Sequence, residues 1–344
     1  MKKAMIMGLT PPLEGGSERH IYEISSRISQ TIVLTQRGSM CKNKIELPVF
    51  SHFTFIRNIS FLISSFFYSI FLMLTFKKRY DLIHIHENVL YFLAPLLKIR
   101  YKVLITVHGI KGFRFYDNKI LWSIFQIPLL FADKIITVNI EDKKILEKYF
   151  DQVYYIPNGV DLKIYKKINV KVERKICFIG RIHEQKGIIY LLEAFENIKS
   201  EYPGFKLEII GKLNNYGLEL KKKYNDKRII WRGFVKDRKE IVKSLKSSYM
   251  IILPSVWEGL PLTLFEALAS GRPVIVSDIN AFKSVIKNEA VFFKSKNVED
   301  LENKILLITK SRKEADAYGL KGRKLAEKYE WDKITKKTFE IYEK

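Results

Sequence analysis

The sequence predicts an α/β fold made of two doubly wound domains, each a parallel sheet with helices on both faces. Three observations carry this. Short apolar runs alternate with segments of helical period almost from end to end, as successive βαβ units require. The alternation halts in the polar, lysine-rich stretch PNGVDLKIYKKINVKVERK, which opens on an Asn-Gly turn signal, and then begins again. Finally, 344 residues exceed the about 250 to 300 that one hydrophobic core usually organises.

In chain order, the first series places strands at Ala4 to Gly8, Thr31 to Thr35, Asp81 to His86, Val103 to Val107, Lys134 to Val138 and Val153 to Ile156. The second places them at Lys175 to Ile179, Lys206 to Ile210, Arg228 to Trp231, Met250 to Leu253, Pro273 to Val276 and Val291 to Phe293. The expected domains are residues 1–160 and 161–325, with 326–344 as a C-terminal helix. Ligands of open α/β sheets bind beyond the carboxyl ends of the strands, so a cleft faced by both sheets is the expected active site.

Residues Ile59 to Phe76 form an uncharged run of 18, preceded by Arg57 and followed by Lys77, Lys78 and Arg79. Its length just reaches that of a membrane span, but crossing a bilayer there would tear one sheet apart. Two readings remain: a buried helix of the first domain, or a helix whose outer face dips into an anionic membrane with help from the flanking basic residues.

Composition narrows the function classes. With 47% hydrophobic residues, 17 Gly and 10 Pro, the chain is neither disordered nor collagen-like. Cys41 and Cys177 stand far apart with no CxxC pair, which excludes a disulfide framework or a metal knuckle. The N-terminal apolar run is too short for a secretory signal, so a cytoplasmic protein is expected. The 60 Lys+Arg against 37 Asp+Glu give a charge of +23, which favours an anionic partner. The basic residues are dispersed and no recognition motif appears, so nucleic acid is not the expected one.

Several residues just past strands have the chemistry to hold a sugar phosphate. Gly15 and Gly16 precede a helix starting near Ser17, where backbone amides can approach phosphate oxygens. Arg181 and Lys186 follow the strand ending at Ile179 and suit a diphosphate. In EGLPLTLFEALASGRP, Pro261 fits the first helical position and Gly271 the end, leaving Glu258 in a loop and Glu266 inside a helix. Such carboxylates accept hydrogen bonds from sugar and ribose hydroxyls. His108 follows a strand and can exchange hydrogen-bonding roles near neutral pH. His84 and His86 point to one strand face, but no third ligand accompanies them and no metal site is expected.

The seven-residue gap between Glu258 and Glu266, within PSVWEGLPLTLFEALASGRPVIVSD, resembles the family 4 retaining glycosyltransferases (glycosyl transferases group 1) of the GT-B fold. FIGRIHEQKGIIYLLEAF, LEIIGK, WRGFVKDRKEI, IPNGVD and the Gly15-Gly16 turn extend the likeness over most of the chain. The resemblance implies two Rossmann-like domains, an N-terminal one for the acceptor and a C-terminal one for the donor, and a C-terminal helix crossing back to the first domain. It also implies retaining transfer of a sugar from a nucleotide diphosphate sugar.

By the same resemblance, Arg181 and Lys186 would neutralise the diphosphate and Glu266 would hold the ribose. Glu258 would contact the transferred sugar, with backbone at Leu260, Leu262 and Thr263 nearby. Phe234 and Val235 would frame the base, Gly15 and Gly16 would approach the phosphates, and His108 would line the site. No D-x-D triplet occurs, so neither a metal nor another cofactor is expected. Where many relatives have a glycine pair, this chain reads Ile279-Asn280-Ala281-Phe282, whose side chains are expected to crowd the donor. Apolar helices in the first domain suggest a lipid-linked or membrane-presented glycan acceptor and a peripheral place on the inner membrane face. The alternatives are a catalytically silent sugar-nucleotide-binding relative and a sugar nucleotide epimerase of the same fold.

Overall fold

A computed structural model describes residues 2–11, 15–50, 54–75, 79–110, 118–202 and 204–344. The chain forms two compact units, Met1–Asn158 with Trp331–Lys344, and Gly159–Glu330. The first division lies two residues before the expected 160. The return lies at Glu330/Trp331 instead of 325/326, because Ala326 and Tyr329 pack into the core of the second unit.

The first unit holds a seven-stranded parallel sheet in the order β3-β2-β1-β4-β5-β6-β7. Its strands are β1 (Ala4–Met7), β2 (Thr31–Gln36), β3 (Lys44–Leu47), β4 (Leu82–Ile85), β5 (Lys102–Val107), β6 (Lys134–Thr137) and β7 (Val153–Tyr155). The central strands are buried on both faces and mostly apolar, as a sheet covered on both sides demands. β3 was not expected from the sequence. It is an edge strand in which only Leu47 is buried, and Lys44 and Glu46 face outward.

The helices of this unit are α1 (Gly16–Ser25), α2 (Thr54–Leu74), α3 (Ala94–Lys98), α4 (Lys119–Leu129) and α5 (Ile140–Leu146), with a 3-10 turn at Asn88–Leu93 before α3. α2 begins five residues before the expected run. Phe76, Lys77 and Lys78 lie outside the described residues, as do Pro12 to Glu14 of the glycine-bearing turn.

α2 is built inside out. Its buried stripe is Phe61, Ser65, Ser69 and Leu72, and both serines are 0% exposed. Apart from Phe61 and Leu72, many of its bulky residues face outward: Phe55 is 75% exposed, Phe67 65% and Leu74 75%. Of the two readings of this segment, a helix wholly buried in the first domain is therefore not what forms. The 3-10 turn and α3 lie between α2 and α4, and α4 also shows Ile120, Ile124 and Ile127 to the outside, as does Leu130 at its C-terminal end.

The second unit has a six-stranded parallel sheet in the order β10-β9-β8-β11-β12-β13. These are β8 (Lys175–Ile179), β9 (Lys206–Ile210), β10 (Ile229–Gly233), β11 (Met250–Leu253), β12 (Val274–Ser277) and β13 (Val291–Phe293). One face is covered by α7 (Ile188–Ile198) and α12 (Val298–Lys310). The other core includes α9 (Arg238–Ser247) and α10 (Leu262–Ala269), with α13 (Arg312–Ala326) packed on α10. α6 (Leu162–Lys167), α8 (Asn215–Lys223) and α11 (Asn280–Lys283) complete it.

The last helix, α14 (Trp331–Glu343), belongs to the first unit and packs on α1. Trp331, Ile334 and Tyr342 are buried, Arg27 donates to Asp332 at 2.8 Å, and Lys134 donates to the carbonyl of Ile341 at 2.9 Å.

Candidate functional site

Each sheet has one place where strand order reverses, between β1 and β4 in the first unit and between β8 and β11 in the second. The crevice beyond such a pair is where doubly wound folds take ligands. The sequence-derived residues divide between these two edges.

In the second unit, the loop after β11 brings Glu258 back to the loop after β8. Lys186 Nζ forms an ion pair with Glu258 Oε1, and both side chains are about nine-tenths buried. Ser255 Oγ donates to the same oxygen at 2.8 Å, and Gln185 Nε2 donates to Oε2 at 3.3 Å. Gln185 Nε2 also reaches the carbonyl of Trp257 at 3.1 Å, and the Val256 amide donates to the Gln185 carbonyl at 2.8 Å. Gly187 permits this close approach. Its φ is +62°, and a Cβ there would lie 2.0 Å from the Pro254 carbonyl oxygen.

An ammonium with three donors and one carboxylate partner keeps hydrogen-bonding capacity for phosphate oxygens. Arg181 is exposed beside this cluster in sequence, and Gly180 packs against the stem of Lys186.

α10 starts at Leu262. Pro261 is its cap, extended at φ −73° and ψ 138°, and so stands one position earlier than expected. Pro261 offers no side-chain cap, so the first-turn amides at Leu262 and Thr263 give no hydrogen bond to it. Leu260 is buried in the core, with its backbone entering the turn.

Glu266, one helical turn further on, is buried and accepts from Arg238 at 2.5 Å. Sequence reasoning missed Arg238. The side chain of Asp237 caps α9 through the Lys239 amide and fixes where that helix, and Arg238 with it, begins. The buried Tyr165 hydroxyl, which has no hydrogen-bond partner, feels the Glu266 and Arg238 charges, and burial holds it well above the usual phenol range. Phe234, half exposed, and Val235 follow β10 at the same sheet edge.

The glycine-pair replacement behaves differently from expectation. Phe282 and Ala281 turn into the core of this unit and do not crowd the edge; Asn280 is the exposed member.

In the first unit, four imidazoles meet at the β1/β4 edge. His86 Nδ1 and His108 Nε2 are 3.1 Å apart and share a hydrogen bond. His20, on α1, stacks edge-on against His108 at 5.2 Å and against Trp331 at 5.4 Å, and its Nδ1 donates to Asn158 Oδ1 at 2.8 Å. His84 is held by Tyr342 Oη at 2.7 Å and Thr106 Oγ1 at 2.6 Å, and its ring lies 4.1 Å from that of His86.

Burial keeps these rings neutral. The pKa of His20 falls to about 4 and that of His84 to about 3, while His86 and His108 lie well below the ordinary histidine value. Among the described residues no group of three or more His, Cys, Asp or Glu is arranged to hold a metal ion. Gly15 caps α1 in an extended conformation. At Gly16 an added Cβ would meet nothing within 4 Å, so neither backbone angle nor packing inside the protein requires glycine there.

Comparison with known proteins follows the same division. The model for glycosyl transferases group 1 matches residues 162–325, and that for Glycosyltransferase Family 4 matches residues 14–164. An Escherichia coli UDP-Gal:alpha-D-GlcNAc-diphosphoundecaprenol alpha-1,3-galactosyltransferase is 31% identical over 244 residues, covering 62% of each chain. An uncharacterized glycosyltransferase of Methanocaldococcus jannaschii is 25% identical over 99% of this chain and 98% of its own.

Among solved structures, sucrose-phosphate synthase from Thermosynechococcus elongatus superposes with a TM-score of 0.81 at 18% identity, over 100% of this chain and 98% of its own. Anabaena HepE in complex with UDP and glucose does so with a TM-score of 0.82 at 13% identity, over the whole of both chains. The fold is therefore GT-B. With adjoining family models over nearly all of its length, the chain belongs to the family 4, group 1 glycosyltransferases.

Proposed function

We propose that this chain transfers a sugar, with retention at the anomeric carbon, from a nucleotide diphosphate sugar held by the second unit to a membrane-presented glycan or lipid-linked acceptor held by the first. The observation that carries the reading is the buried Lys186–Glu258 pair, braced by Gln185 and Ser255 at the switch point of the second sheet.

When the diphosphate arrives, Lys186 and Arg181 neutralise the charge that grows on the departing phosphate, in a site whose groups are already oriented. Glu258 accepts from hydroxyls of the transferred sugar and Glu266 from the ribose. Phe234 and Val235 frame the base, the backbone at Leu260, Leu262 and Thr263 lies toward the sugar phosphate, and Gly15 and Gly16 approach the phosphates. The leaving phosphate takes the acceptor proton on the same face of the sugar, and His108 hydrogen-bonds at the reacting end. The absence of any D-x-D triplet supports transfer without a metal.

The acceptor class rests on the apolar layer of α2 and α4 together with the charge of +23, which suit a peripheral position on an anionic membrane. The E. coli relative is named for a diphosphoundecaprenol-linked GlcNAc substrate. That lipid-linked sugar, in anionic vesicles with UDP-, GDP- and ADP-sugars, is the first substrate set to try.

Product anomers read by NMR should match the donor configuration, and turnover should survive EDTA. Inverted product would overturn retention. Loss in EDTA restored by magnesium would overturn metal independence. Donor binding with no transfer to any member of the set would mark a silent relative.

A further inference from the structure

The first sheet's switch point holds a group of polar atoms to which nothing above gives a ligand. Gly8 follows β1, and His86 and Glu87 follow the neighbouring β4. A Cβ on Gly8 would lie 3.4 Å from His86 Cβ and 3.6 Å from Glu87 Cγ, so the three pack together at this sheet edge. The Glu87 carboxyl takes a backbone hydrogen bond from Leu9, yet its Oε1 is buried without a partner. Among the described residues, His86 Nε2, Arg57 Nε and Asn58 Oδ1 are buried without partners as well.

Arg57 and Asn58 stand one turn before the buried Phe61, on the inward stripe of α2, and α2 packs on the 3-10 turn that Glu87 caps. The Glu87 carboxyl is also close enough to feel the charges of Arg57 and of Glu18 in the first turn of α1. Buried polar atoms nearly always have partners. Four without one, gathered where doubly wound sheets bind ligands, are partners awaiting a ligand.

The chemistry of the set selects the ligand. Burial, reinforced by Glu18, raises the Glu87 carboxyl to about 8, so at neutral pH it is mostly a neutral O–H donor with a carbonyl acceptor. Arg57 Nε donates, Asn58 Oδ1 accepts, and His86 is neutral. Mixed donors and acceptors of this kind match hydroxyl groups, which both give and take hydrogen bonds. A phosphate would meet the Glu18 carboxylate and acceptor oxygens.

We propose that Arg57, Asn58, His86 and Glu87 bind the hydroxyl-bearing sugar ring of the acceptor and choose among sugars by their hydroxyl pattern. This rests on the glycosyl-transfer reading for the word acceptor only; the site itself is a claim about sugar binding. A site built to hydrogen-bond a hydroxyl discriminates strongly against a sugar that lacks it, because its buried groups are then left unpaired.

The test uses the full chain with UDP present and, as probes, the methyl α-glycosides of glucose, galactose, mannose and N-acetylglucosamine, read by saturation-transfer NMR. One probe should bind saturably. Glu87→Leu and Asn58→Leu should weaken it by about tenfold or more. Glu87→Gln, which keeps a donor and an acceptor, should stay within about threefold, and UDP affinity should hold in all three. Should Glu87→Leu fail to fold, Asn58→Leu against Glu87→Gln carries the comparison. Binding of no probe in the millimolar range, or equal binding by the leucine variants, would overturn the site. Sugar binding without donor turnover would instead leave the site standing and sink the transferase reading.

Discussion

The two switch points use opposite electrostatics. At the second, the buried carboxylates are matched, Glu258 with Lys186 and Glu266 with Arg238, while Arg181 is exposed. At the first, the histidines and Glu87 are neutral: burial holds His20, His84, His86 and His108 unprotonated and Glu87 mostly as the acid, with Arg57 and Glu18 as their charged neighbours. Unlike charges that leave water need partners, whereas neutral polar groups can wait for one at lower cost. On the proposed reading, the contrast means that the second unit takes an anion that exchanges partners with an existing ion pair, and the first an uncharged polyol beside an apolar layer.

The largest break in this contrast should come from Glu258→Gln. It keeps the shape, removes the charge facing Lys186, and should lower turnover about 10²- to 10³-fold with little change in donor KM. Steady-state kinetics checks it, and unchanged turnover would remove Glu258 from its role.

Acid should strike the first unit before the second. Folded-state pKa values of about 4 for His20 and about 3 for His84 lie below the ordinary 6.5, so the unfolded chain binds more protons in between. Stability is full above pH 6.5 and falls as pH drops toward about 4 and below, by about 1 to 3 kcal/mol per ring. Denaturant melts from pH 7 to 4 should show it, and His20→Gln should flatten the curve. A flat wild-type profile would contradict the neutral cluster.

A smaller effect belongs to the outer face of α2. Phe67→Ser removes one exposed ring, so it should reduce flotation with anionic vesicles by about tenfold while shifting stability by less than about 0.5 kcal/mol. A fall in stability without a change in flotation would mean that the ring is covered by protein. Smallest is Arg238→Ala, expected to weaken UDP binding by titration calorimetry severalfold to tenfold by leaving Glu266 unpositioned. Unaltered binding would make the pair structural only.

What could be read in advance follows the same divide. The apolar strands from Ala4 to Phe293 and the loop-helix pair Glu258 and Glu266 were legible because parallel βαβ units and helix caps leave local signatures. β3 was not, since Lys44-Ile-Glu-Leu47 is short and half polar, and only its pairing with β2 makes it a strand. α2 was legible as an apolar helix but not in its orientation. A segment apolar on every side has no face to predict, and two serines turned inward run against the usual pattern.

Spacing put His84 and His86 on one strand face, but the Tyr342 hydroxyl that holds His84 comes 258 residues later. Likewise nothing near Glu266 announces Arg238, and nothing near Glu87 announces Arg57. Long-range partnership leaves no periodic trace.

The most direct measurement is a thermal shift of the wild type and of Lys186→Ala against UDP-, GDP- and ADP-sugars. If the second unit grips an activated sugar through this lysine, one donor class raises the wild-type Tm as a native-state ligand must, and the increase disappears in Lys186→Ala. No shift with any donor, or the same shift without the lysine, would contradict the account.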